Sequence, residues 1–504
     1  MTRNEAAPVK VRMHIGGEWV DSANGEVTEL RSPVDGKVRA LVAEGDRDDA
    51  RAAVAAAVAV KREMAALPVD ERAGLCRATA EVIERRRDLL AETLSLEQGK
   101  PLSEARAEVA FAAQLFRDAG GAISQLASEI LPGRDPGKRI LTLRQPHGVV
   151  GVITPWNFPM GIPSEYLSAA VVTGNTVVWK PAPTTPHAAA VLLECMIEAG
   201  LPAGAVNIVH GGAEVGDEIV TNRDVQAIGF TGSAQVGEIV AQRAGAKPLL
   251  LELGGNGPTV ILDDADLERA IPAVAEACYL NAGQICQSSE RILVGRRIHD
   301  AVVDGLVKEA SRFRLGHPLE SSTTMGPLNN EGVAAKMDEH VADGVARGAV
   351  VMSGGRRADG FPTRLYYEPT VLDGVTPDSL LNLEETFGPV APVLTVEDVD
   401  EAIAVANSCE LGLCGAVFSR DTATALYCAE QLECGVVNIN EHAAYWDGRT
   451  PFGGFSGKRS GVGRLGGMAT LLSLTQLKSV VLDMSGQQPA GRRPRQAAPG
   501  GSGA

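Results

Sequence analysis

Between about residues 148 and 253 the chain alternates short apolar β-prone runs with longer helical ones, and that order leaves few folds open. NTVVWK, AVNIVH, VQAIGF and PLLLEL are almost continuously apolar, as strands buried on both faces must be. HAAAVLLECMIEAG and SAQVGEIVAQRAG, which separate them, carry the apolar spacing of helices covering a sheet. Strand, helix, strand in strict succession makes a parallel sheet with helices on both faces. The expectation is an α/β fold with a doubly wound, dinucleotide-binding layout.

The flanking segments divide the rest. Residues 46–125 are patterned as helices, with Asp46, Asp70 and Ser103 as candidate helix starts, so the N-terminal fifth is expected to be mostly α. ILTLRQPHGVVGVITP reads as a hairpin turning at 145–148. TVILDD, RILVGR, APVLTV, CGAVFS and GVVNIN predict a second α/β unit, with the boundary near LELGGNGP. The expected division is therefore 1–127 with 148–253 as the dinucleotide-binding domain, 254–470 as the catalytic domain, and 128–147 with 471–484 as a small β arm. Residues 485–504, rich in Gly, Pro, Arg and Gln, are expected to be a disordered tail.

A chain of 504 residues exceeds a single hydrophobic core. Its formal charge of −16 argues against a nucleic-acid partner, which would need a basic face. No apolar run reaches the length of a membrane span, and the first residues lack a signal-peptide core, so no membrane association and a cytoplasmic location are expected. The eight cysteines show no C-x-x-C spacing, which speaks against disulfides and against a metal site.

Three residues carry groups that could act together. Cys286 lies between an amphipathic helix ending near Gly283 and the strand RILVG, on a turn whose side chain can face a cleft. Glu252 ends PLLLEL, at the carboxyl edge of a parallel strand, where partial burial would lift its pKa towards that of a useful base. Asn157 stands between Trp156 and Phe158 in a loop too apolar for a simple surface turn. Neither GxGxxG nor a P-loop occurs. HGGAEVG (Gly211, Gly212, Gly216) and FTGSAQVG (Gly232, Ser233, Gly237) instead follow strands and open helices, which frees backbone N–H groups for a pyrophosphate.

TPWNFP, WKPA, FTGSAQVG, LELGG, GQICQSSER, EETFGPV and PFGG, in this order over about 300 residues, together resemble the signature set of the aldehyde dehydrogenase superfamily. The resemblance implies oxidation of an aldehyde to a carboxylic acid with NAD or NADP, through a thioester on Cys286. Asn157 and the Cys286 N–H would hold the oxyanion, and Glu252 would activate the hydrolytic water. It also implies that Thr154, Trp156, Lys180, Gly216, Gly232, Ser233, Leu253, Glu385 and Phe387 contact the cofactor. Lys180 would reach the adenosine ribose, and Glu385 with Phe387 the nicotinamide ribose. An arm pairing strands across subunits would make a homodimer or homotetramer. The rival readings are a CoA-acylating semialdehyde dehydrogenase, against which the retained Glu252 speaks, and a non-catalytic binding or structural member of the fold.

Two departures from the family pattern bear on specificity. Pro183 stands after WKPA where NAD-preferring members commonly carry a ribose-binding glutamate, which keeps NADP open beside an expectation of NAD. PFGGFSGKRSGVGR is two residues longer than the family's pattern, and the long loop before it holds His442, Tyr445, Trp446 and Arg449. Trp446, Arg449 and Phe452 are candidate substrate contacts together with Glu165. Arg449 would favour an anionic aldehyde and an ionised Glu165 would oppose one, while an interface or solvated loop is the plainer reading of that segment.

Overall fold

In the computed structural model, which describes residues 7–485, the alternating segment forms the centre of an eight-stranded sheet. Its parallel strands lie in the order Leu249–Glu252, Ala227–Thr231, Val149–Ile153, Thr176–Lys180 and Val206–Ile208. Strand order reverses between Val149–Ile153 and Ala227–Thr231, so the loops leaving these neighbours turn to opposite faces and open a crevice at their carboxyl ends. These strands are buried almost throughout, which is why they read as unbroken apolar runs.

The N-terminal expectation needs correction. Residues 46–125 are helical, but Val9–Val11, Met13–Ile15, Glu18–Val20, Val27–Arg31 and Val38–Ala43 are strands. Met13–Ile15 and Glu18–Val20 complete one edge of the large sheet, and the other three form a small sheet of their own. Segments this short, with one face exposed, are too brief to display a period in the sequence. Asp46 caps Arg47–Ala66 through a reciprocal capping box with Asp49. Asp70 and Ser103 instead lie in the first turns of Val69–Arg85 and Leu102–Ala122, whose N-caps are Pro68 and Pro101. A further helix, Arg87–Gln98, intervenes between these two.

A seven-stranded sheet follows, in the order Val350–Ser353, Thr370–Asp373, Val390–Val396, Ser289–Gly295, Gly257–Ile261, Cys414–Phe418 and Val436–Ile439. It is parallel except at Val350–Ser353. The chain then returns, because Gly461–Val462 pairs antiparallel with Leu251 and Glu252 at the edge of the first sheet. The C-terminal segment 254–470 is thus not confined to the second sheet. Thr475–Asp483 pairs with Lys138–Pro146 from end to end, and Ile130–Leu131 adds a third strand. Ile130, Leu477, Val481 and Leu482 on this arm are exposed. Of the expected tail only Ser485 is described, bonded to Asp483; the remainder lies outside the described residues. Among the described residues no helix is long and apolar enough to cross a membrane.

Candidate active site

The loop after Val149–Ile153, the end of Leu249–Glu252, the turn before Ser289–Gly295 and the segment before Val390–Val396 converge on one point. Two cavities meet there. One, of about 270 Å³, is lined by Trp156, Gly232, Ser233, Leu253, Glu385 and Phe387 among others. The other, of about 540 Å³, is lined by Phe111, Phe158, Glu165, Trp446 and Phe452 among others. Cys286, Glu252 and Ile162 border both.

Cys286 is partly exposed. Burial of its sulfur raises the thiol pKa well above the ordinary value, and the Glu252 carboxylate raises it further. Glu252 is itself pushed up to about 8, by burial above all and then by the charge of Glu385, against the opposing hydrogen bonds of Cys286 and Thr231. Its Oε1 has no hydrogen-bond partner among the described residues. At rest this is a neutral thiol beside a carboxyl group that ionises near neutrality. Their closeness depends on Gly255, where a Cβ would stand 2.1 Å from the Cys286 carbonyl oxygen. Any side chain there would drive the Cys286 turn away from the strand end.

Asn157 is buried, and its Nδ2 donates to the Gln284 carbonyl at 3.0 Å, which holds the amide against the Cys286 turn. Its carbonyl accepts from Lys100 Nζ at 2.8 Å and from Asn281 Nδ2 at 3.1 Å. Lys100 in turn pairs with Glu108 at 2.6 Å, both side chains almost fully buried, and Glu108 accepts the N–H groups of Met160 and Gly161. A buried ion pair thereby pins the Asn157 loop. The turn itself is strained, with Asn281 and Ala282 at φ 52° and 54°.

The smaller cavity fits a dinucleotide end. Glu385 accepts the Gly255 N–H at 2.9 Å, and burial pushes its carboxyl up to about 7. Phe387 adopts φ 61°, stabilised where its N–H and that of Thr386 meet the Glu290 carboxylate, and its ring meets Trp156 edge-on at 5.6 Å. Ser233 caps Ala234–Ala244 through the Val236 N–H, leaving a helix N-terminus towards the cavity beside Gly232. Leu253 is buried against Gly237.

Lys180 and Gly216 lie together beyond this cavity rather than lining it. Burial lowers the Lys180 ammonium to about 8, Glu44 draws it back up, and no described residue hydrogen-bonds it. An unpartnered buried cation suits a ribose or phosphate oxygen. Thr154 does not line the cavity either; its hydroxyl accepts from Trp179 Nε1 at 2.9 Å. Pro183 borders a separate recess of about 30 Å³ together with Glu29, Glu44 and His210.

In the larger cavity Trp446 packs between Phe111 and Phe452, at 5.4 and 5.3 Å between ring centres. Glu165 borders it, accepting from the Gly466 N–H at 2.9 Å and from the Thr470 hydroxyl, and burial pushes it up to about 7. Arg449 does not border it. Its guanidinium is 73% exposed and makes two bonds, of 3.0 and 2.7 Å, to Asp447, so the structure does not bring it together with Glu165, Trp446 and Phe452. Lys100, Glu104, Glu108 and Phe111, which do border it, lie on or just before the helix Leu102–Ala122 and were not anticipated from the sequence. Glu and Lys on a helical pattern ordinarily mark a solvated face; the Glu104/Glu108 spacing, placing both carboxylates on one side, was the available signal.

The sequence model of the Aldehyde dehydrogenase family matches residues 19–480. Glutarate-semialdehyde dehydrogenase of Pseudomonas aeruginosa is 37% identical over 96% of this chain and 99% of its own. The NADP(+) succinate-semialdehyde dehydrogenase of Escherichia coli is 35% identical over 96% of this chain and 100% of its own. A crystal structure of betaine aldehyde dehydrogenase from Staphylococcus aureus in complex with NAD+ superposes with a TM-score of 0.92 at 32% identity, covering 96% of this chain and 97% of the other.

Proposed function

Since the chain belongs to the aldehyde dehydrogenase family and oxidises an aldehyde to a carboxylic acid with NAD or NADP, we propose that Cys286, Glu252 and Asn157 carry out the chemistry. The observation that carries this reading is the position of Cys286, shared by the two cavities with Glu252 beside it.

Cys286 Sγ attacks the aldehyde carbon while its proton passes to the Glu252 carboxylate, which the raised pKa of that group permits. The oxyanion formed accepts from the Asn157 amide, which has a hydrogen left after its bond to Gln284, and from the Cys286 N–H. A nicotinamide held in the smaller cavity would supply the hydride acceptor as the carbonyl re-forms on Cys286. Glu252, after releasing that proton to solvent, then removes a proton from water attacking the Cys286 thioester and passes it to the departing sulfur, which releases the acid and restores the thiol. Glu385 and Phe387 would hold the nicotinamide ribose, Ser233 and the helix it caps the pyrophosphate, and Lys180 the adenosine ribose.

The test is a pair of variants. Cys286→Ala is expected to abolish turnover while the dinucleotide still binds. Glu252→Gln is expected to give a burst of reduced cofactor followed by a stalled steady state; full steady-state activity without a burst would assign the base elsewhere.

The cofactor preference we assign to NAD. Glu29 and Glu44 share the recess bordered by Pro183, and their charge opposes the 2′-phosphate of NADP. A larger kcat/KM with NADP would reverse that assignment. We propose the division 1–127 with 148–253 as the dinucleotide-binding domain, 254–470 as the catalytic domain and 128–147 with 471–484 as the arm, with the strand Gly461–Val462 added to the dinucleotide-binding sheet. The apolar arm supports a homodimer or homotetramer, and eight unpaired cysteines suit the reducing cytoplasm.

A further inference from the structure

The larger cavity bounds the aldehyde's tail. Its walls are aromatic and aliphatic, with Phe111, Phe158, Trp446 and Phe452 around the approach to Cys286. Its charged members, besides Glu252 at the reacting end, are Lys100, Glu104, Glu108 and Glu165. The one cation among them is already spent, on Glu108 and on the Asn157 carbonyl. Glu104 is bonded through one oxygen to the Asn281 N–H, and Glu165 through one oxygen to Gly466 and Thr470. The second oxygen of each has no hydrogen-bond partner among the described residues. Arg449, on the loop between Trp446 and Phe452, is turned outward onto Asp447.

A carboxylate on the tail would therefore leave water to meet no free cation and two unpaired carboxyl groups, a desolvation that nothing in the cavity offsets. An aromatic or aliphatic tail would replace water against rings and leave the Glu104 and Glu165 carboxyls neutral, the form their burial favours. Resting on the site assignment above, we infer that the substrate is an aldehyde with an uncharged apolar tail, and that the protein rejects the ω-carboxylate aldehydes named for its Pseudomonas and Escherichia relatives.

The test compares kcat/KM of the wild-type protein for benzaldehyde and hexanal, for succinate and glutarate semialdehydes, and for betaine aldehyde, with saturating NAD and again with saturating NADP. At least a hundredfold preference for the uncharged aldehydes over both semialdehydes is expected. Equal or faster turnover of a semialdehyde overturns the inference, and so does a preference for betaine aldehyde, which would give the Glu104 and Glu165 carboxylates a cation to pair. Failure of the underlying site assignment looks different: Cys286→Ala would then turn over the preferred aldehyde as fast as the unaltered protein.

Discussion

Glu252 helps hold the Cys286 thiol protonated while Cys286 draws the Glu252 carboxyl down, and separating them exposes the coupling. With Glu252 pushed up to about 8, its base form is scarce at pH 6 and grows as pH rises through that value. Hydrolysis of the Cys286 thioester should accordingly rise about tenfold per pH unit below about 8 and level above it. Single-turnover acid release across pH 6–9 measures this; a flat profile would remove Glu252 as the base. In Glu252→Gln the carboxylate that helps hold the thiol protonated is gone. The thiol should then titrate lower, although burial, the larger cause, remains. Faster alkylation of Cys286 by iodoacetamide at pH 7 in Glu252→Gln is the expected result. Both residues stood out in the sequence through their motifs, GQIC and LELGG, whose resemblance to the family set outweighs the plainer readings of a buried cysteine and a solvated strand-end carboxylate. Lys100 and Glu108 did not: on a helical segment ionisable side chains ordinarily face solvent, and only packing shows these two turned inward.

Among the elements, legibility followed burial on both faces. Thr176–Lys180 and Leu249–Glu252 declare themselves as apolar runs, whereas Val9–Val11 and Glu18–Val20, brief and half exposed, carry no comparable period. Gly461–Val462 could not be read at all, since two residues have no pattern and their partner is more than two hundred positions away. The helix Leu102–Ala122 meets the Asn157 loop through Lys100 and Glu108. Glu108→Gln should cost about 3–5 kcal/mol of stability by leaving a buried ammonium unpaired, and should lower kcat by loosening Asn157. Denaturant unfolding and steady-state rates read the two effects. Replacing both Lys100 and Glu108 by Met should cost less stability than Glu108→Gln alone. At the other end of the helical region, Asp46→Ala should cost about 1 kcal/mol through loss of its cap.

For the molecule as a whole, the buried carboxyls set an unusual pH response. Glu104, Glu165 and Glu252 are raised to about 7, 7 and 8, above the ordinary 4.5 of an unfolded chain. Their contribution to stability is fully present below that lower value and is lost as pH rises through the folded ones. The melting temperature should therefore fall between pH 5 and 8, which calorimetry checks; a rise over this interval would mean that these groups are ionised in the fold. The arm Lys138–Pro146 and Thr475–Asp483 leaves a long apolar edge in one subunit, so Val481→Asp together with Leu482→Asp should shift the sedimenting species to a smaller one.

If the dinucleotide and the aldehyde occupy the two cavities as proposed, the thiol stands where they meet and each would have its own door. The reduced coenzyme would then depart while the acyl group is still attached, and a carboxylic acid product lingering at its own exit should compete with incoming aldehyde but not with incoming NAD.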